Sequence, residues 1–417
     1  DSIGPNSYCP HQYVRLNKYM GVPVNCDEFV FIGAAVRPAF LIEQGFQRQN
    51  RPGYIILGSV IGYSIYYILT PLHTSIKTFA QKKLSSQFSP KELDKAVLYG
   101  SVYSGFIIIN IAILFFSMLL FEKSLIMFSS SWKNKEWLLW LCLVMLISNQ
   151  VTKTFFWTAH QQMFTIFTPI ACIYASIIIQ RSQSFKKTSL IIAAISGLLL
   201  FVYGNFILLL PIIIFNYFIC IKNVRKIFTV SSLISATLIT SIFLMPTLCW
   251  IGYLKSIGIS YYNHEIVQFR HFVWMSDSMQ ISMGHFLNTF YNNTLEFLKT
   301  SGCLLLAFLF LIATVLCRLQ FRNDINRGKE KITNLKIGYV LFPSFLLFAI
   351  FLWLIGSYAD RLTFSLAPLI LFVGVVNLNK TNLTLKTQYA IALLILMIHI
   401  YTVFFNAPHF SEKLFFQ

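Results

Sequence analysis

The chain is poor in charge, and above all in acids. Only 12% of its 417 residues are charged, and Asp and Glu together number 15 against 33 Lys and Arg. Soluble domains carry roughly a quarter of charged residues, whereas here hydrophobic residues make up 56% of the chain. A soluble fold of this size would lack the polar side chains needed to cover its surface. The composition therefore excludes a cytosolic enzyme, a nucleic-acid-binding module and a secreted domain, and it predicts a polytopic membrane protein.

Several nucleotide and metal motifs are also missing from the sequence. There is no Walker or glycine-rich phosphate loop, no zinc-protease motif and no Cys-x-x-Cys pair. ATP-driven transport is therefore not expected. Six of the eight cysteines lie in or at the ends of apolar runs, where cysteine behaves as a small apolar residue.

Apolar runs long enough to cross a bilayer recur along the chain. A transmembrane helix needs about 20 apolar residues, and a helix satisfies its own backbone hydrogen bonds in lipid. The pattern predicts an all-α polytopic membrane protein with about 11 transmembrane helices, some short or re-entrant. The predicted runs are 54–72, 97–120, 137–148, 163–180, 189–203, 205–221, 228–250, 301–317, 337–355, 362–378 and 388–405.

Lysine and arginine clusters predict the orientation, because positively charged loops stay in the cytoplasm. The same rule explains the net charge of +18 without nucleic acid. The loops predicted to be cytoplasmic are 73–96, 181–188, 222–226, 318–336 and 380–386. Those predicted to face outward are 1–53, 121–136, 203–205, 251–300, 356–361 and the tail. An even number of crossings then requires the 12-residue run Trp137–Ser148 to be re-entrant or partial.

The chain divides into four parts on this reading. Residues 1–53 form an outer loop with an acidic motif and an interfacial helix, and residues 54–250 form an N-terminal transmembrane bundle. Residues 251–300 form an extracytoplasmic loop, followed by C-terminal transmembrane helices over 301–417. The two long hydrophilic parts both face outward, so the chemistry is expected there.

Asp27 and Glu28 are adjacent carboxylates in the first of these outer parts. Such a pair can take a proton from an acceptor hydroxyl or hold a metal ion, but it can equally cap the following helix and favour its dipole. Residues 29–49 alternate apolar and charged positions in a way that is typical of a helix lying in the membrane interface. Arg51 and Pro52 then begin the first span.

Four basic residues near predicted span ends are candidates for binding a lipid phosphate: Arg361, Arg51, Lys153 and His160. A guanidinium at a helix start can grip a phosphate in bidentate fashion. The alternative is that each side chain anchors its helix at the membrane surface. Charged groups so close to apolar runs are costly without water, a partner or an anion.

The outer loop 251–300 combines aromatic rings with hydrogen-bonding side chains, which suits sugar rings. The candidates for acceptor or sugar binding are Tyr261, Tyr262, His264, Glu265, Arg270 and Trp274. An amphipathic helix resting at the interface has the same composition, since Trp and Tyr are enriched there.

Taken together, these features resemble the GT-C superfamily of integral membrane glycosyltransferases, in particular the bacterial protein mannosyltransferase and aminoarabinose transferase families. The resemblance lies in Asp27-Glu28, the interfacial helix 29–49, Arg51-Pro52, and the stretch from Arg361 through Pro368. Two features depart from that pattern. No span precedes the first outer loop in this sequence, and Leu362 stands where an aromatic residue is common.

The resemblance implies transfer of a sugar from a polyprenyl-phosphate donor to a glycan, lipid or protein acceptor on the outer face of a bacterial inner membrane. It implies Asp27 as the general base, Glu28 as its support or an acceptor contact, and Arg361 as the group that neutralises the departing phosphate. Metal dependence stays open, with Mg²⁺ or Mn²⁺ as the candidate ions. Membrane lipids, and other subunits of a membrane complex, are the expected partners.

Three other functions compete with this hypothesis. An outer-face polysaccharide polymerase or ligase would depend on loop 251–300, and on Arg270 in particular, more than on Asp27. A lipid or oligosaccharide transporter would be expected to show inverted repeats and polar residues in the middle of its spans, and neither is evident. An accessory subunit would use its aromatic surface only for packing.

Overall fold

The computed structural model describes most of the chain. The described residues are 12–15, 21–24, 26–84, 90–128, 136–221, 227–304, 311–312, 343–379, 384, 386–387, 389–390, 393–394, 396–397, 400–401 and 411–413.

The described part is predominantly helical. Its α-helices are α1 Cys26–Val36, α2 Pro52–Ile68, α3 His73–Leu84, α4 Pro90–Phe128, α5 Glu136–Ile147, α6 Gln150–Phe155, α7 Phe164–Arg181, α8 Phe185–Leu200, α9 Leu209–Cys220, α10 Val230–Ser256, α11 His264–Phe269, α12 Val273–Ile281, α13 Met283–Thr300, α14 Pro343–Leu354, α15 Asp360–Thr363 and α16 Ala367–Asn379. Three short strands, β1 Gln12–Arg15, β2 Gly21–Val24 and β3 Ser411–Lys413, form one sheet in the order β2-β1-β3. Strand β1 pairs antiparallel with β2 and parallel with β3.

Helix α4 is the longest element, and its two halves pack against different helices. Its N-terminal half lies against α2, where Gly58 and Gly62 are one helical turn apart. A Cβ atom on Gly62 would come 2.6 Å from the Cα of Val102, and one on Gly105 would come 2.8 Å from the backbone N of Gly62. Small residues one turn apart let two helix backbones approach closely, and only glycine fits this contact.

The C-terminal half of α4 packs against other helices. The ring of Phe121 lies edge-on to Phe372 of α16, with centroids 5.8 Å apart. At the end of α4, the Arg181 guanidinium of α7 donates to the carbonyl of Met127. The buried residues of α1, α2, α4, α7–α9, α10 and α16 form one continuous core, and both halves of α4 contribute to it.

The structure supports a membrane protein but corrects the predicted number of spans. Within the described residues, three helical stretches are long and apolar enough to cross a bilayer: 95–128, 161–181 and 230–256. A fourth is possible if α2 and the following helix, bent by 55°, count as one span. Most of the predicted runs 301–317 and 388–405 lies outside the described residues.

The number differs because several apolar runs form short or interrupted helices. Helix α5 has 12 residues and α9 has 12, and about 20 are needed to cross a bilayer. Helix α8 ends at Leu200 and helix begins again at Gly204, which matches the predicted break at Tyr203-Gly204-Asn205. Hydropathy alone does not separate a short buried helix from a membrane span, because both are equally apolar.

One loop assignment also changes. The bond between Arg181 and Met127 brings residues 121–128 to the same end of the described helices as 181–188, whereas the charge pattern predicts these segments on opposite sides.

The predicted interfacial helix 29–49 is not continuous. Helix α1 ends at Val36, and a 3₁₀ turn follows at Pro38–Ile42. The break falls at Arg37, because proline disfavours the helical conformation in the residue before it. The chain from 43 to 50 then folds back as a series of turns, which directs the polar side chains of 48–51 inward.

Candidate functional site

Five segments that are far apart in the sequence are connected by hydrogen bonds, two between backbone groups and three that involve a side chain. All but one of these segments contain residues predicted to face outward; the exception carries His160. The bonds are Gly53 N to Phe201 O (3.1 Å), Trp250 Nε1 to Gln49 O (2.9 Å), Tyr262 N to Gln49 Oε1 (2.7 Å), Phe272 N to Ile355 O (3.3 Å) and Gln162 Nε2 to Arg361 O (3.5 Å). Residues far apart in sequence thus share one site.

Asp27 lies at the centre of this site, in the first turn of α1. Its side chain is 38% exposed, so it can reach a bound molecule. One carboxylate oxygen, Oδ1, lies 2.7 Å from Nη2 of Arg48, and the other, Oδ2, lies 3.3 Å from Nε2 of His160. Arg48 is almost fully buried and its guanidinium lies over the ring of Phe31, which fixes the position of the ion pair.

His160 is held in one tautomer by the backbone. The N–H of Gln162 donates to Nδ1 of His160 at 3.2 Å, so Nδ1 carries the lone pair and Nε2 carries the hydrogen that points to Asp27. The ring is buried between Phe31 and Phe155. Burial lowers the pKa of His160 to about 4, in spite of the neighbouring carboxylate. At neutral pH the imidazole is therefore an uncharged donor to Asp27.

The pKa of Asp27 reflects several opposing effects. Burial alone would raise this pKa, but the hydrogen bond from His160 and the charges of Arg48 and Arg361 together hold the pKa of Asp27 well below its ordinary value. The carboxylate stays ionised throughout the physiological range.

Glu28 has a different environment although it is the next residue. Its side chain is buried, and Oε1 accepts the backbone N–H of Ala159 at 3.0 Å. The two acids therefore face different surroundings: Asp27 opens to the site, and Glu28 points into the protein against the chain segment that carries His160.

Glu265 supplies a second carboxylate to the site, from the first turn of α11. It forms an ion pair with Arg51, accepts a hydrogen bond from the side-chain amide of Asn50, and lies 4.0 Å from Nη1 of Arg48. Burial would raise the pKa of Glu265, but Arg51 and Arg48 hold it below the ordinary value. Asp27, Arg48, Glu265 and Arg51 thus form one chain of alternating charges that joins α1 to α11.

Arg361 reaches the same site from α15. Its guanidinium lies over the ring of Phe155, 5.8 Å from the centroid, and its charge lowers the pKa of both Asp27 and His160. Its Nε is buried and has no hydrogen-bond partner among the described residues, and no carboxylate there forms an ion pair with it. This guanidinium is therefore available to an anion.

The other residues singled out in the sequence divide into two groups. His264 is buried beside Tyr262, and burial raises the pKa of Tyr261 to about 12 near Glu265. Lys153, by contrast, is exposed on α6. Arg270 pairs with Asp277 on the surface, with Nε 2.8 Å from Oδ2, and Trp274 donates from Nε1 to the carbonyl of Leu354 at 2.9 Å.

Three contributors to the site were not among the candidates. Arg48 and Asn50 lie in the stretch read as an interfacial helix, where polar residues are expected to face water. The sequence does indicate Asn110, because it is the one polar side chain in the apolar stretch 105–116. A buried polar group in such a stretch needs a partner.

The site does not have the character of a metal centre. Within the part of the chain that the structure describes, no three His, Cys, Asp or Glu side chains are close enough to hold a metal ion. Both oxygens of Asp27 also contact cationic or N–H groups. These residues do not fit Mg²⁺ or Mn²⁺, which take several oxygen ligands.

No protein-family model, no curated protein and no solved structure matches the chain.

Proposed function

We propose that the chain is an integral membrane glycosyltransferase of the GT-C type, which moves a sugar from a polyprenyl-phosphate donor to an acceptor hydroxyl on the outer face of a bacterial inner membrane. The observation that supports this most is the meeting, in one site, of the partly exposed carboxylate of Asp27 with the guanidinium of Arg361, for which the described residues provide no carboxylate partner. Sugar transfer needs both a proton acceptor and a group that stabilises the leaving phosphate, and here the charge of Arg361 is close enough to lower the pKa of Asp27.

In the proposed reaction the acceptor oxygen attacks the anomeric carbon of the donor. The bond from that carbon to the phosphate oxygen breaks, and its electron pair leaves with the phosphate. The proton of the acceptor hydroxyl passes to Asp27. A single displacement of this kind inverts the anomeric configuration.

A carboxylate of low pKa suits this reaction. Glycosyl transfer passes through an oxocarbenium-like transition state, in which bond formation makes the acceptor proton strongly acidic. A weak base is then sufficient, provided that it is ionised and fixed in place. Arg48 and His160 supply both conditions to Asp27.

Arg361 stabilises the charge that develops on the leaving phosphate, since a fixed cation in a partly buried site acts most strongly where charge appears. Arg51 is already paired with Glu265, so it is proposed to line the site and not to bind the phosphate by itself. Tyr261, Tyr262 and His264 lie beside Glu265 and are proposed to contact the acceptor or the sugar.

The test uses the full-length protein in lipid nanodiscs. Purified protein is supplied with polyprenyl-phosphate sugars that carry a radiolabel, and transfer to lipid and glycan acceptors is measured. Label released from the donor and recovered in an acceptor supports the proposal. A density map of the protein in native lipid gives an independent check: an elongated lipid between Asp27 and Arg361 agrees with it, whereas no transfer from any donor and an empty gap would overturn it.

A further inference from the structure

The chain segment that carries His160 is a short loop between two helical elements. It runs from the end of α6 at Phe155 to the 3₁₀ turn that begins at Gln161. A helix end leaves its last carbonyls without partners inside the helix. The carbonyl of Phe155 accepts from the N–H and the hydroxyl of Thr158 within the segment, whereas the carbonyls of the next three residues bond to another part of the chain.

Helix α4 supplies these bonds from one side. The Nδ2 amide of Asn110 lies 3.3 Å from the carbonyl of Phe155, 3.0 Å from that of Phe156 and 2.8 Å from that of Thr158. The hydroxyl of Tyr103, two turns earlier on the same helix, donates to the carbonyl of Trp157 at 2.7 Å. Four consecutive carbonyls are thus bound by one helix.

Glu28 binds the segment from the other side. Its Oε1 accepts the N–H of Ala159, the residue directly before His160. Donors on α4 therefore hold the carbonyls, and an acceptor on α1 holds the N–H. Glu28 is adjacent to Asp27. The same turn of α1 therefore positions the carboxylate of Asp27 and, through Glu28, the backbone next to its partner His160.

We propose that Asn110 and Glu28 are positioning residues that fix the loop 155–160 so that His160 presents its Nε2–H to Asp27. Their part in the reaction rests on the proposed function, but the placement of His160 does not. Asn110 is fully buried among apolar residues of a candidate span. A polar amide there is costly unless it is bonded, and these carbonyls account for its presence.

The placement is tested without any sugar. His160 in the full-length protein in nanodiscs is labelled with diethyl pyrocarbonate, which reacts with accessible neutral imidazole, and the rate is followed by mass spectrometry of the peptide. In Asn110→Leu we expect labelling of His160 to rise about tenfold, because the lost hydrogen bonds release the loop. Asn216→Leu is the matched control: Asn216 is also a buried amide in an apolar helix, bonded to Ser176 and away from the site.

Glu28 provides a second pair of variants that does not depend on α4. Glu28→Leu removes the acceptor and should also raise the labelling rate, whereas Glu28→Gln keeps an acceptor oxygen and should preserve protection. If Asn110→Leu does not fold, the labelling rates of the two Glu28 variants test the proposal. Unchanged His160 labelling in Glu28→Leu, or equal labelling in Glu28→Leu and Glu28→Gln, would overturn the proposal.

The reaction adds a readout that a general loss of structure would not produce. If Asn110 acts through His160, Asn110→Leu lowers kcat with little change in the donor KM, and combining it with His160→Asn costs no more than His160→Asn alone. Additive losses would contradict the proposal. Absence of transfer in the wild type would instead contradict the glycosyltransferase function and leave the labelling result valid.

Discussion

The segment 26–51 and the loop 257–300 are both rich in polar residues, yet they contribute very differently to the site. The first places Asp27, Arg48 and Arg51 around one point, with Arg48 and Arg51 buried or nearly so. The second contacts that point chiefly through 261–265. Its remainder, from Arg270 on, packs by aromatic contacts such as Trp274 with Phe286 and Phe290 with Trp353.

The difference lies in where the charges go. In the first segment the cations Arg48 and Arg51 are buried against carboxylates, one of which is Glu265 of the second segment. Farther along the second segment, the pair Arg270–Asp277 is on the surface, with the two side chains 53% and 39% exposed. Buried charge needs a partner and so fixes its neighbours, while surface charge does not. The aromatic and polar composition of the long loop therefore indicates the site less well than the burial of oppositely charged side chains against one another.

The largest effect is expected at Asp27. Asp27→Asn removes the proton acceptor but keeps the size of the side chain, so transfer should fall about 10³-fold while the protein stays folded. Arg270→Ala is the matched change in the other region, and its activity should stay near that of the wild type. The assay is initial rate with a radiolabelled polyprenyl-phosphate sugar. The reverse order of effects would favour the polymerase or ligase hypothesis.

The ion pair that joins the two regions and the ion pair on the surface of the loop also differ in what they contribute to stability. Glu265→Leu leaves Arg51 buried without its carboxylate, and we expect a loss of about 3 kcal/mol in the free energy of unfolding. Asp277→Ala breaks the exposed pair and should change that energy by no more than about 0.5 kcal/mol.

A thiol-reactive dye measures this unfolding in detergent, since Cys142 and Cys172 are buried free thiols. Similar melting temperatures for the Glu265 and Asp277 variants would show that the buried cluster does not stabilise the loop.

Some of this arrangement could be predicted from local sequence. The helical membrane class follows from composition, the break at 203–205 from Tyr203-Gly204-Asn205, and the grouping of the segments around 27, 205, 265 and 361 from their common assignment to the outer side. Asp27 was a candidate because adjacent acids are rare in so basic a chain. Each of these signals is contained in a few neighbouring residues or in the charge of one loop.

The rest depends on contacts that no local pattern encodes. Arg48 has polar neighbours, so its sequence looks like the surface of an interfacial helix, and only the turn after Pro38 brings it under Asp27. The roles of Asp27 and Glu28 separate because Ala159, 131 residues away, provides the partner for Glu28. Span number was overestimated because apolar residues pack equally well in short, buried helices as in lipid-facing ones.

Arg361 belongs to neither region, and its substitution tests binding of the donor separately from proton transfer to Asp27. Arg361→Ala should raise the donor KM about tenfold, because a phosphate loses a charge-assisted contact in a partly buried site. Arg37→Ala is the control, since Arg37 is exposed and pairs only loosely with Glu43, at 4.0 Å. Donor protection against heat gives a second measurement. Equal KM values in both variants would mean that Arg361 only anchors its helix.

The smallest expected effect concerns the pH dependence of stability. It is compared for His160, which lies beside Asp27, and His271, which lies in the loop 257–300. The pKa values of His160 and His271 are both lowered to about 4, mainly by burial, against about 6.5 in an unfolded chain. Between these values the unfolded state binds more protons, so stability should be complete above about pH 6.5 and fall as the pH is lowered toward 4. Asp27 and Glu265, whose pKa values are lowered, add to the loss only at still lower pH.

His271→Asn removes one of these protonation differences without touching Asp27, while that of His264, whose pKa burial also lowers, is left in place. The slope of the unfolding free energy against pH between 4.5 and 6 should therefore become shallower, with the melting temperature at pH 7.5 nearly unchanged. His160→Asn should flatten the same slope but also disturb Asp27, so its transfer activity falls where that of His271→Asn does not. An equal slope in the wild type and in His271→Asn would show that His271 is hydrated in the folded protein. The loop 257–300 would then be held to the site less firmly than its contacts through 261–265 suggest.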